Sequence, residues 1–184
     1  MNNKTKELTL ISLLAVIIAI SGSFKIPGII PGTEFQLSAP IAIGICAAFG
    51  FKRYIVAGVI ASTINLIMGT HTILNVIVAM TFRIVGGGII GILGPSLLVV
   101  SIAGPIGTIA GRIVMSNIVG TPFKVLIVAA VPGMIYTLIS SYLIYKVIEN
   151  IMKKTPYKSF IKTKEKIIKV GWKNGTTQHK NEIV

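Results

Sequence analysis

The chain has 184 residues, 53% of them hydrophobic, a mean hydropathy of +0.84 and only 12% charged residues. A water-soluble domain of this size needs a more heavily charged surface, so the composition excludes one and points to a chain whose main solvent is lipid. Eighteen basic residues face five acids, for a net charge of +13. All five acids are glutamate, which excludes the aspartate-rich magnesium sites of membrane prenyl- and phosphotransferases and the aspartate proton relays of many pumps. The single cysteine, Cys46, leaves no internal disulfide or cysteine-rich metal cluster and reads as a packed core thiol.

A hydrocarbon core of roughly 30 Å takes about 20 helical residues. Six apolar runs bounded by glycine, proline or charge come near that length: residues 8–24, 35–49, 54–68, 71–93, 97–119 and 123–145. They predict an all-α integral membrane protein, a six-helix transmembrane bundle over residues 1–151, followed by a basic tail over 152–184 that holds nine of the 18 basic residues. Lys4 and Lys6 before the first run imitate a secretory signal, but five further apolar runs argue against cleavage. Residues 25–34 carry two Pro-Gly pairs around Ile29 and Ile30, too apolar for a free loop, and predict a lid folded back on the bundle. Glu34, Gln36 and Ser38 would line its inner edge, although capping of the second span by Thr33 or Glu34 accounts for part of the pattern equally well. The second and third runs are short for full spans, which predicts thinning, broken helices or shared loops there.

The basic residues set the orientation. Lys4 and Lys6, the Lys52-Arg53 pair and the lysine-rich tail all fall on one side of a six-span chain, and the positive-inside rule makes that side, with both termini, cytoplasmic. Residues 25–34, the Gly69 to His71 turn and the stretch 112–124 then lie outside. The tail from Tyr157 to Trp172 reads as a basic amphipathic helix, apolar on one face and lysine-rich on the other, lying on the anionic inner leaflet. No nucleic-acid module accompanies its charge.

A charged side chain at the bilayer centre costs roughly 3 kcal/mol or more, so each one needs a partner, a water-filled cavity or a purpose. Arg83 lies about 18 Å into the fourth span and Arg112 about 22 Å into the fifth, counting 1.5 Å per residue. Neither has a carboxylate beside it in sequence. Arg83 reads either as a ligand contact or as a cap on carbonyls at a helix break invited by Gly86-Gly87-Gly88; Arg112 reads as a ligand contact. His71 and Asn75 share a helical face, and Asn65 comes to a similar depth across the Gly69 turn. One histidine without nearby cysteine or acid is a poor metal site. Amides alone are ordinary interhelical glue, but Asn65, His71, Asn75, Arg112 and Asn117 together outline an outward-opening polar pocket.

Six spans with both ends inside, in a chain near this length, resemble the substrate-binding S components of energy-coupling factor transporters, which capture vitamins and other micronutrients. Ala15-Val-Ile-Ile-Ala19 is similar to the small-xxx-small pattern by which that family's first helix packs on the membrane coupling subunit. Ala47 to Tyr54 with Ala57-Gly58 looks like the glycine-bearing turn between its second and third helices. The resemblance covers roughly residues 5–150. It implies a multi-pass cell-membrane protein with an outward pocket, a membrane coupling subunit and ATPase subunits as partners, and no catalysis or cofactor of its own. The metal-specific branch of the family has a histidine after the first methionine; here Asn2 and Asn3 follow Met1, so an organic micronutrient is the expected ligand. No Walker motif is present.

Glu34, Gln36, Asn65, His71, Asn75, Arg83, Arg112 and Asn117 are the expected substrate-binding residues, and Ala15 and Ala19 the expected partner contacts. A stand-alone secondary carrier is the alternative, weakened by the scarcity of membrane carboxylates and the lack of an internal repeat. An intramembrane hydrolase is disfavoured because no serine stands in a nucleophile motif, and Ser96 falls on the side opposite His71.

Overall fold

α1 (Asn3–Ser23) is a long apolar run without proline whose buried residues, Leu10, Leu14, Ala15, Ile18, Ala19 and Gly22, recur every three or four positions and form one inward stripe. Leu8, Leu13, Val16, Ile17 and Ile20 point outward. The computed structural model describes residues 3–27, 34–36 and 38–161. After α1 the chain forms a short antiparallel hairpin of β1 (Lys25–Pro27) and β2 (Glu34–Gln36), with Lys25 opposite Gln36 and Pro27 opposite Glu34. The bundle is therefore helical with one small strand pair, not purely α. The Pro-Gly turns expected within residues 28–33 lie outside the described residues.

α2 (Ser38–Phe49) has 12 residues, about 18 Å of helix, and is short for a full span. With four alanines and Gly44 among its 12 residues, it sits in the middle of the molecule, buried from Ala42 to Phe49 and contacting each of the other five long helices described. Gly50, at φ 86°, supplies a backbone turn that other residues resist and joins it directly to α3 (Phe51–Ile67). α3 therefore starts at Phe51, and Lys52 and Arg53 belong to its first turn.

Thr72 caps α4 (Ile73–Leu93), its Oγ1 accepting the Asn75 N–H at 3.3 Å. α4 runs unbroken through Gly86-Gly87-Gly88, and Gly86 and Gly87 serve close packing instead of a break, whereas Gly88 faces open space. A Cβ on Gly86 would stand 2.8 Å from the Ala103 carbonyl oxygen, and one on Gly87 2.9 Å from the Tyr54 ring. Ser96 caps α5 (Leu97–Val119), which contains Pro105 and ends at left-handed Gly120. α6 (Phe123–Lys153) has 31 residues and continues past the apolar run that ends at Tyr145.

α1, α4, α5 and α6 are each long and apolar enough to cross a membrane. Large apolar side chains on their outer faces, such as Ile92 at 85% and Leu98 at 69% exposure, would be untenable in water. The chain is a multi-pass membrane protein.

The starts of α1 and α3 meet the end of α6 at one pole. Arg53 Nε is 2.8 Å from Glu7 Oε1, Arg53 Nη1 donates to the carbonyls of Phe49 (3.2 Å) and Phe160 (3.3 Å), and its guanidinium lies 5.0 Å from the centre of the Phe160 ring. Ile161 is buried. A boundary at 151/152 therefore falls inside α6, and the first residues of the expected tail pack on the bundle. Within the expected amphipathic helix, Lys158–Phe160 form a 3-10 turn; the remainder, from residue 162, lies outside the described residues.

Candidate ligand site

Arg83 is placed by two features of α3. Gly58 offers no side chain, so the arginine lies across the α3 backbone; a Cβ there would stand 2.6 Å from Arg83 Cδ. One turn further along, Ser62 Oγ accepts a hydrogen bond from Arg83 Nη1 at 2.5 Å, and Met80 Sδ lies 3.5 Å from the same nitrogen. The residue is 7% exposed, and no ion pair among the described residues includes it. Arg83 therefore does not cap a broken helix. It is a buried, serine-anchored cation, of the kind that membrane proteins retain for a polar task.

Arg83 forms part of the wall of a cavity of about 100 Å³ between α1, α2, α4 and α5. Ile18, Ser38, Ala39, Ala42, Ala79, Phe82, Gly107, Thr108 and Gly111 complete the lining. Ser38 and Thr108 add hydroxyls, the latter donating to the Gly104 carbonyl at 3.1 Å. A guanidinium, nearby hydroxyls and apolar walls suit a small anion with an apolar body, since charge-assisted hydrogen bonds to a carboxylate are strongest where water is excluded. Ser38 opens α2, Ile18 lies late in α1, Ala79 early in α4 and Gly111 late in α5. The cavity thus occupies the half of the bundle away from the Arg53 pole.

The other expected site residues are spread more widely. Arg112 lies one turn beyond Thr108 on α5, half-buried and outside the cavity lining, with Nη1 donating to Met115 Sδ at 3.3 Å. Asn65 Nδ2 donates to the Ala19 carbonyl at 3.3 Å, and His71 Nε2 sits 3.2 Å from the Gly22 carbonyl. These two residues fasten the end of α1 to the α3–α4 turn. Asn75 is half-buried beside the α4 cap and Asn117 is exposed near the end of α5. Glu34 and Gln36 stand on β2; their side chains lie outside the described residues. Ala15 and Ala19, at 1% and 6% exposure, face the interior, where α1 packs on α3 of the same chain. Small-residue spacing reports close approach of some helix, and here an internal helix meets it.

Ser62 and Thr108 were absent from the expected set. Their only sequence signal is position, each four residues after a glycine (Gly58, Gly104), on helix faces smooth enough for a neighbour to approach.

No family model and no solved structure matches the chain. Protein BioX of Lysinibacillus sphaericus is 53% identical over 150 residues, which is 82% of this chain and 90% of that protein. The chain belongs to the BioX family. In this BioX-family bundle the Arg83 cavity is where a buried charge, hydroxyls and open volume coincide.

Proposed function

We propose that the chain is the substrate-binding membrane subunit of an energy-coupling factor transporter, capturing a small organic micronutrient that carries a carboxylate. The observation that carries this reading is Arg83, a buried guanidinium at the wall of a cavity and without a carboxylate partner among the described residues. The name BioX points to biotin, and biotin or a precursor with a free carboxylate fits the chemistry of the cavity. Six helices arranged as six spans bring Lys4, Lys6, Lys52, Arg53, Lys153 and Lys154 to one pole, which the positive-inside rule assigns to the cytoplasm. The cavity then faces outward, as a capture site in the cell membrane requires. ATP is hydrolysed by partner subunits, and the surface of α1 available to a membrane partner is the outward stripe of Leu13, Val16, Ile17 and Ile20.

The test is purification of the tagged protein from its native membranes, with associated proteins and retained small molecules identified by mass spectrometry. Recovery of ATPase subunits, a second membrane protein and a carboxylate is the expected result. A chain that purifies alone and shows ion-coupled uptake in vesicles overturns the subunit reading in favour of a stand-alone carrier.

A further inference from the structure

We propose that Tyr54 is a positioning residue for ligand capture, its buried hydroxyl accepting an N–H of Arg83 once a carboxylate has drawn the guanidinium to the cavity. This role rests on the anionic-ligand reading above, and it belongs to a residue that stands behind the cavity wall and not in its lining.

On α3, Tyr54, Gly58 and Ser62 recur every four positions and share one face. Arg83 lies over the middle of that face, at Gly58, and donates to Ser62 on the side away from the Arg53 pole. Tyr54 stands on the other side, one helical turn from Gly58 toward that pole. α4 fixes its ring from across the interface. Gly87 follows Arg83 by one turn, and a Cβ there would stand 2.9 Å from Cε1 of the Tyr54 ring. The ring is thus wedged beneath the arginine, where neither helix leaves it room to turn away.

The Tyr54 hydroxyl is fully buried and has no hydrogen-bond partner among the described residues, although the charge of Arg83 reaches it. The Cys46 thiol nearby is turned to the Gly87 carbonyl, 3.7 Å away. A buried hydroxyl left without a partner destabilises the protein that contains it, and such a group calls for a role. Arg83 can supply one. Of its five N–H donors, those on Nη1 face Ser62 Oγ and Met80 Sδ, so Nε and Nη2 remain to serve other acceptors. A carboxylate takes two donors side by side. Reoriented by it, the guanidinium meets the Tyr54 oxygen with a third, and that bond holds the fork toward the ligand. Because the bond is made only in the loaded protein, it adds to affinity and not to the stability of the empty chain.

The experiment uses the purified full chain in detergent, as wild type, Tyr54→Phe and Arg83→Gln. It reads the unfolding midpoint without ligand and the apparent Kd for biotin and for hexanoate from the rise of that midpoint. Tyr54→Phe keeps the ring against Gly87 and removes only the unpartnered oxygen. Its ligand-free midpoint is expected to stay within about 3 °C of the wild type or to exceed it, while its apparent Kd rises about tenfold. A residue with a merely structural role would lower both together. A ligand-free midpoint that falls further, or a variant that does not fold, shows the hydroxyl already bonded in the empty protein and overturns the role of Tyr54. Unchanged affinity in Tyr54→Phe, with binding lost in Arg83→Gln, overturns it too and leaves the anionic-ligand reading intact. Should Arg83→Gln not fold, Arg83→Met serves the same comparison. A response that survives the loss of Arg83, or no wild-type response to either carboxylate, overturns both.

Discussion

Arg83 was legible because a lone cation in an apolar run is costly enough to need a reason. What holds it was not, because serine and threonine in such helices mostly bond back to their own backbone. Thr63 Oγ1 to the Val59 carbonyl (3.0 Å) and Thr81 Oγ1 to the Ile77 carbonyl (3.0 Å) do so here. Nothing in the sequence separates Ser62 from these until α3 and α4 are packed. Gly58 offers a test at this scale. The Cβ of Gly58→Ala would fall 2.6 Å from Cδ and 2.7 Å from Nε of Arg83, a flexible side chain and not backbone, so the arginine moves and the helix pair survives. The variant is expected to keep its unfolding midpoint within a few degrees. Its ligand affinity should fall by roughly 10- to 100-fold, the equivalent of about 1.5–3 kcal/mol for a charged hydrogen bond. Equilibrium binding to the wild type, the variant and Arg83→Gln checks this, and full affinity in Gly58→Ala would refute the positioning role.

At the scale of elements, apolar runs located the six α-helices among the described residues, but their ends followed forces that hydropathy does not register. α6 outlasts its apolar run because Lys146 and Lys153, 2.9 and 3.0 Å from Glu149, supply ion pairs along the continued helix. α3 begins three residues before its expected start because a single glycine suffices for the turn. The alanine pair on α1, expected to meet a partner subunit, is buried where α1 packs on α3, since small-residue spacing does not name the neighbouring helix. Asn65 and His71 complete that packing with bonds to carbonyls at the end of α1, so they anchor an element and do not line the cavity. Interhelical hydrogen bonds in membranes average about 0.6 kcal/mol. Asn65→Ala is accordingly expected to lower stability by about that amount while leaving ligand affinity unchanged. Parallel unfolding and binding measurements separate the two effects, and a large affinity loss at unchanged stability would return Asn65 to the ligand site.

For the molecule as a whole, the charge pattern and the packing converge on the same polarity. Glu7, Arg53 and Phe160, 153 positions apart from first to last, meet at one pole because the start of α1, the end of α6 and the α2–α3 turn come together there. The cavity lies in the opposite half, so its access to external nutrient stands or falls with orientation. The buried, 0% exposed thiol of Cys46 makes this measurable in the natural background, since a membrane-impermeant maleimide finds no reactive native cysteine. Two exposed lysines at opposite poles provide the reporters: Lys124 in the first turn of α6 and Lys154 just past its end. In intact cells Lys124→Cys is expected to be labelled and Lys154→Cys to be protected until the membrane is permeabilised. The reverse pattern would put the basic pole outside, turn the Arg83 cavity toward the cytoplasm and exclude capture from the exterior. Labelling of both or neither in intact cells would break the six-span arrangement itself, because only an odd number of crossings between the two positions separates them.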